Sequence, residues 1–187
     1  MLFRSPHVDH LHPDSGIAIA TSVDGPELTQ RIFGDKVVWV PWRRPGFQLG
    51  LDIRDIQRAH PDAIGCILGG HGITAWGQTS DDCEANSLWI IRTAEEYIQA
   101  HGAAEPFGGV RAGFSALPEA ERHAKAAALA PVIRGIASRD RRMVGHYDDS
   151  AAVLDFLSRE KLGALAELGT SCPDHFLRTK EIGRAHV

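Results

Sequence analysis

Apolar residues in this chain fall in short runs separated by glycine, proline and charge, and the period of each run predicts an element. Val8 to His12 alternates as a short strand that Pro13 stops, because proline cannot donate to a strand ladder. Ser15 to Ser22 is small and apolar and predicts a packed helix. Asp24-Gly25-Pro26 breaks the chain, Glu27 to Phe33 forms a helix ended by Gly34, and Lys36 to Val40 is a strand ended by Pro41. Arg43-Arg44-Pro45-Gly46 reads as a turn, and Leu51 to His60 as a surface helix. Ala63 to Leu68 and Ile73 to Trp76 are apolar enough to be buried strands, with Gly69-Gly70-His71-Gly72 between them. Ser80 is placed as the cap of a long helix that Asp81, Asp82 and Glu84 favour in its first turn and His101-Gly102 ends. Beyond a Gly/Pro-rich stretch from Ala103 to Ser115, a helix opens at Pro118 and runs towards Ile136. Met143 to Tyr147 is expected as a strand, and Ala151 to Leu168 as one helix capped by Ser150. Strands alternating with helices predict a layered α/β architecture.

Composition narrows the class of protein. Of 187 residues, 43% are hydrophobic and 24% charged, which fits one soluble domain or a domain with an appendage. The net charge of −4 offers no footprint for nucleic acid or an anionic membrane. No apolar run reaches a membrane span, and the N-terminal residues lack the apolar core of a signal peptide. Cys66, Cys83 and Cys172 are odd in number and widely spaced, so they read as reduced thiols of a cytoplasmic protein.

The candidate chemistry lies in Asp9-His10-Leu11-His12-Pro13-Asp14 and Leu68-Gly69-Gly70-His71-Gly72-Ile73. In a strand, residues two apart share a face, so His10 and His12 project together while Leu11 points to the opposite, packed side and Asp9 faces away from His10. His71 stands at a glycine corner between two apolar strands. Taken singly, H-x-H is also what two surface histidines look like, and G-G-H-G is also a plain hairpin corner. Together, each at a strand end, they suit a divalent metal held by three imidazoles with a coordination position left for substrate. His7, His60, His101, His123 and His146 have no comparable setting and read as surface or capping residues. Asp14 reads as a helix cap.

These segments resemble the class II aldolase/adducin family, in which an H-x-H segment is followed by an apolar strand ending in H-G and then a helix with an E-A pair. Here those elements are His10-Leu11-His12-Pro13, Ile67-Leu68-Gly69-Gly70-His71-Gly72, then Trp76-Gly77 and Glu84-Ala85. The stretches Val38 to Phe47 and Gly169 to Lys180 are similar to the aldolase part of bifunctional rhamnulose-1-phosphate aldolase/short-chain dehydrogenase proteins. The resemblance implies a central, mostly antiparallel sheet flanked by helices, here truncated at its N-terminus. It implies Zn2+ as cofactor, with His10, His12 and His71 as the ligands. It also implies a sugar-phosphate substrate, cleavage of a ketose 1-phosphate to dihydroxyacetone phosphate and lactaldehyde, and assembly as a homotetramer.

On the same resemblance, residues 1–104 form the aldolase/adducin-like domain, 105–180 a helical family-specific extension, and 181–187 a sequencing artefact, because Ile182 to Val187 matches a translated adapter string. The family's acid/base glutamate stands well upstream of H-x-H, whereas nine residues precede His10 here and none is Glu. The acid/base is therefore unassigned and the fragment is expected to be impaired. Two other readings stay open: a non-enzymatic adducin-like module, and part of a bifunctional oxidoreductase, although no G-x-G-x-x-G fingerprint occurs in the chain. Arg43 and Arg44, and the cluster of Asp174, His175, Arg178 and Lys180, could meet an anion, but a solvated polar turn is the simpler reading of each.

Overall fold

The computed structural model describes residues 5–169. It divides into two compact units, one ending at Gly102 and the other spanning Ala103–Gly169. Cys172, the Asp174–Lys180 cluster and residues 181–187 lie outside the described residues. Among the described residues no helix is long and apolar enough to cross a membrane.

The first unit is a four-stranded sheet flanked by helices. Its elements in chain order are β1 (His7–Leu11), α1 (Asp14–Ala20), α2 (Gly25–Phe33), β2 (Val37–Val40), α3 (Phe47–Ala59), β3 (Gly65–Leu68), β4 (Gly72–Gly77) and α4 (Ser80–His101). The strand order is β1-β4-β3-β2. β1–β4 and β4–β3 pair antiparallel, whereas β2–β3 pair parallel. The sheet is therefore mostly antiparallel.

Both faces of the sheet are covered, which is why β3 and β4 are buried along their whole length rather than alternating, with Thr74 the one polar side chain in them. Ile67, Ile73 and Ala75 pack with Ile19 and Ala20 of α1, Phe33 of α2, and Ile90 and Ala94 of α4. On the other face Cys66, Leu68 and Trp76 pack with Leu49 and Ile53 of α3. Burying each large aliphatic chain here contributes roughly 1.5–3 kcal/mol. Trp76 keeps its polar edge satisfied by donating from Nε1 to the Ala63 carbonyl, 2.7 Å away.

Three local expectations change. Gly25 and Pro26 open α2 rather than breaking the chain before it, because proline is tolerated in a first helical turn. The cap of α4 is Thr79, not Ser80: Thr79 Oγ1 accepts from Asp82 N at 3.1 Å while Thr79 N donates to Asp82 Oδ2 at 3.2 Å. Asp14 is the first residue of α1 and gives no capping bond; Pro13 holds the N-cap position.

The second unit carries α5 (Glu119–Ala137), α6 (Ala151–Ser158) and α7 (Leu162–Glu167). The expected strand at 143–147 does not form. Met143 N donates to Ser138 Oγ and Met143 O accepts from Arg134, so its backbone is taken by side chains, and Val144 is 94% exposed. The single helix expected over 151–168 is split in two. Arg111 N donates to Ser158 O, while Glu160 N and Lys161 N donate to the Gly109 and Phe107 carbonyls, which draws residues 158–161 into an extended pairing with 107–111. Those bonds between distant segments override the helical pattern.

Candidate metal centre

β1 supplies two of the three histidines. His10 and His12 lie two residues apart and project from one face at the C-terminal end of the strand and just past it. Antiparallel pairing sets His10 opposite Thr74 and Leu11 opposite Ile73. That register brings the end of β1 beside the corner joining β3 to β4, where His71 sits. The corner is tight: Gly70 has φ +65°, a conformation that disfavours any side chain, and His71 N donates to Leu68 O at 3.0 Å. Gly69 N and Gly70 N donate to Val40 and Ala20, tying the corner to β2 and α1.

The three imidazoles converge. His10 Nε2 lies 3.1 Å from His71 Nε2 and 3.1 Å from His12 Nε2. One ligand atom from each ring lies within 4.8 Å of the others. Two nitrogens so spaced can both stand about 2.0–2.1 Å from one ion. His71 is buried, His12 half-buried and His10 exposed, so the cluster has a closed side and an open side.

The surroundings fix the chemistry of His10. Its Nδ1 lies 2.9 Å from the Ile73 carbonyl and 3.2 Å from Thr74 Oγ1. A carbonyl only accepts, so this pairing assigns the proton to Nδ1 and leaves Nε2 with its lone pair towards the cluster. Metal-binding imidazoles are commonly held in this way by a backbone carbonyl behind the ring. Three neutral nitrogen donors suit a borderline-soft dication. Neither Ile73 O nor Thr74 was foreseen from sequence. The available signal was a hydroxyl inside an otherwise apolar strand.

Other candidates fall elsewhere. Asp9 faces α4, where its Oδ2 accepts from Ser87 Oγ at 3.0 Å. Leu11 is not packed: it is 38% exposed, because β1 is an edge strand. Arg43 is ion-paired with Asp52 and Arg44 is exposed. Trp42 lies against the glycine corner, 2.7 Å from where a Cβ on Gly70 would stand, and is 66% exposed. Cys66 lies in the same cross-strand row as His10, where burial pushes its thiol up to about 12, and the convergent ligand atoms are those of His10, His12 and His71.

Residues 5–98 match the family model described as class II aldolase and adducin N-terminal domain. The chain belongs to this family. Residues 124–184 match a further model, described as the second domain of class II aldolase. The chain is 39% identical over 177 residues to the uncharacterized oxidoreductase YuxG of Bacillus subtilis (strain 168), a match covering 94% of this chain and 25% of that protein. It thus spans a quarter of the length of the curated relative it matches. Among solved structures, the N-terminal class II aldolase domain of a conserved Thermoplasma acidophilum protein is 25% identical, with 52% of this chain and 44% of that one covered and a TM-score of 0.48. An aldolase II superfamily protein from Pseudomonas syringae is 22% identical, with 66% and 47% covered and a TM-score of 0.40.

Proposed function

We propose that His10, His12 and His71 hold a divalent cation, zinc, and that the chain belongs to a metal-dependent lyase that cleaves a carbon–carbon bond of a ketose 1-phosphate. The supporting observation is the meeting of three imidazole nitrogens within the family's own domain, with His10 fixed in the tautomer that presents Nε2. The ion would supply Lewis-acid stabilisation of negative charge developing on a substrate oxygen. The protein's part is to hold the three donors in place. The buried His71 and the glycine corner form the rigid side, and the exposed His10 leaves an approach for substrate. Rhamnulose 1-phosphate, giving dihydroxyacetone phosphate and lactaldehyde, is the substrate we favour, on the similarity of Val38 to Phe47 to that subfamily. A homo-oligomer, tetrameric in the family, belongs to the same reading.

Metal analysis tests the site: the purified chain should carry about one zinc per copy and lose it on changing His10 and His12 to Ala. A wild-type preparation that resists reconstitution would end the lyase reading and favour an adducin-like interaction module. An assay for dihydroxyacetone phosphate released from rhamnulose 1-phosphate and related ketose 1-phosphates tests the reaction in the full-length protein.

A second reading is supported by the oxidoreductase name of the relative at 39% identity. On that reading the chain is the aldolase-like part of a longer protein whose hydride chemistry lies in other residues. Reduced nicotinamide consumption by the full-length protein, retained when His10 and His12 are replaced, would separate the two activities.

A further inference from the structure

We propose that Thr74 is a positioning residue for this site: its hydroxyl, acting with the Ile73 carbonyl, holds the His10 ring so that Nε2 stays aimed at the other two imidazoles. The inference rests on the metal reading above and goes beyond the three ligands to the group that orients one of them. Thr74 is 2% exposed, in the middle of a strand whose neighbours Ile73, Ala75 and Trp76 are all buried and apolar. A hydroxyl in such a place is costly unless it is hydrogen-bonded.

The register explains where that hydroxyl goes. His10 faces Thr74 across β1–β4, and Cys66 faces Thr74 across β4–β3, so the three form one row on one face of the sheet. β4 is paired on both sides, which fixes the Thr74 backbone, and a β-branched side chain has little freedom about χ1. Its Oγ1 is therefore held 3.2 Å from His10 Nδ1, beside the Ile73 carbonyl at 2.9 Å. Cys66 stands opposite Thr74 on its other flank, across β3–β4. One N–H shared between two fixed acceptors restrains the ring in two directions. The carbonyl alone sets the tautomer; the second acceptor limits rotation of the ring plane. This matters most for His10, because it is the exposed member and has the least packing to hold it.

The test compares Thr74→Val, which keeps the shape and removes the hydroxyl, with Thr74→Ser, which keeps the hydroxyl. Zinc affinity is measured by competition titration on the whole chain, and the His10 Nδ1–H signal by nitrogen-15 NMR of the metal-free protein. Thr74→Val is expected to weaken zinc binding about 10-fold, the lower end of what loss of such a partner costs, and to shift or broaden the Nδ1–H signal. Thr74→Ser should stay within about two-fold of wild type on the same scale. Should Thr74→Val fail to fold, Thr74→Ala takes its place in the same comparison. Wild-type zinc affinity in the variant lacking the hydroxyl overturns the proposal, as does an equal loss in Thr74→Ser. A wild-type chain that takes up no zinc overturns the metal reading and this proposal with it. That result is distinct from a failure of Thr74 alone, in which the wild type binds and Thr74→Val matches it.

Discussion

Gly72 lies flat against the ring of His12: a Cβ built on Gly72 would stand 2.5 Å from His12 Cδ2 and 2.6 Å from the Leu11 carbonyl. The glycine is what lets β1 end beside the β3–β4 corner with the imidazole still reaching its two partners. Gly72→Ala is expected to push His12 out of the cluster and to strain the β1–β4 pairing, at a cost of about 1–3 kcal/mol. Urea unfolding measures the stability loss and zinc titration the weakened site. An alanine variant with unchanged zinc affinity would show that His12 is not held by this contact.

Zinc should stabilise the folded chain through the triad. At a free concentration about 100 times its dissociation constant, one bound ion adds about 2.7 kcal/mol. Differential scanning fluorimetry should report a rise in Tm with zinc for the wild type and none for His71→Ala. Equal shifts in both would point to binding elsewhere.

The Thr79–Asp82 box should carry part of the stability of α4. Replacing Thr79 by Ala removes the oxygen that accepts from Asp82 N and should cost about 0.5–2 kcal/mol. Ser80→Ala is expected to change little, since Ser80 is already the first helical residue and the cap lies before it. Chemical denaturation of the two variants distinguishes them, and the opposite order would return the cap to Ser80.

Alkaline pH should destabilise the fold through its buried thiols. Burial raises Cys66 from the ordinary 9.0 to about 12, and burial with the neighbouring Asp9 carboxylate raises Cys83 to about 11. A raised value in the folded state means the unfolded chain gives up these protons first. The stabilisation is therefore full below pH 9.0 and is lost as pH climbs towards the folded values. Unfolding free energy followed from about pH 8 to about pH 11 should fall, and the fall should be shallower in Cys66→Ala. Identical slopes would remove Cys66 from the account.

Core packing gives a last check on the layered arrangement. Ile73 is fully buried between α1, α4 and the sheet, on the opposite face from His10 and Thr74. Ile73→Ala should cost about 2–5 kcal/mol through lost burial and a residual cavity. If the site and core are as separate as the faces imply, zinc affinity of the folded variant, measured by the same titration, stays near wild type.

Local chemistry determined a good part of this protein before any tertiary contact. The apolar runs at Lys36–Val40, Ala63–Leu68 and Ile73–Trp76 read as strands, and the period of two put His10 and His12 on one face. Glycines around residue 71 marked a corner, because few other residues take the backbone angle found at Gly70. Which strand neighbours which is a matter of distant pairing that no local pattern encodes. Only the order β1-β4-β3-β2 set His10 beside His71, gave His10 the Ile73 carbonyl and the Thr74 hydroxyl, and turned Asp9 to Ser87. Non-local bonding also cut the helix at residues 158–161, whereas at Met143 the Ser138 and Arg134 side chains took the backbone groups a strand would have used. Side-chain direction along one element follows from backbone geometry, whereas the company each side chain keeps is settled when separate elements compete to bury their faces and satisfy their hydrogen bonds.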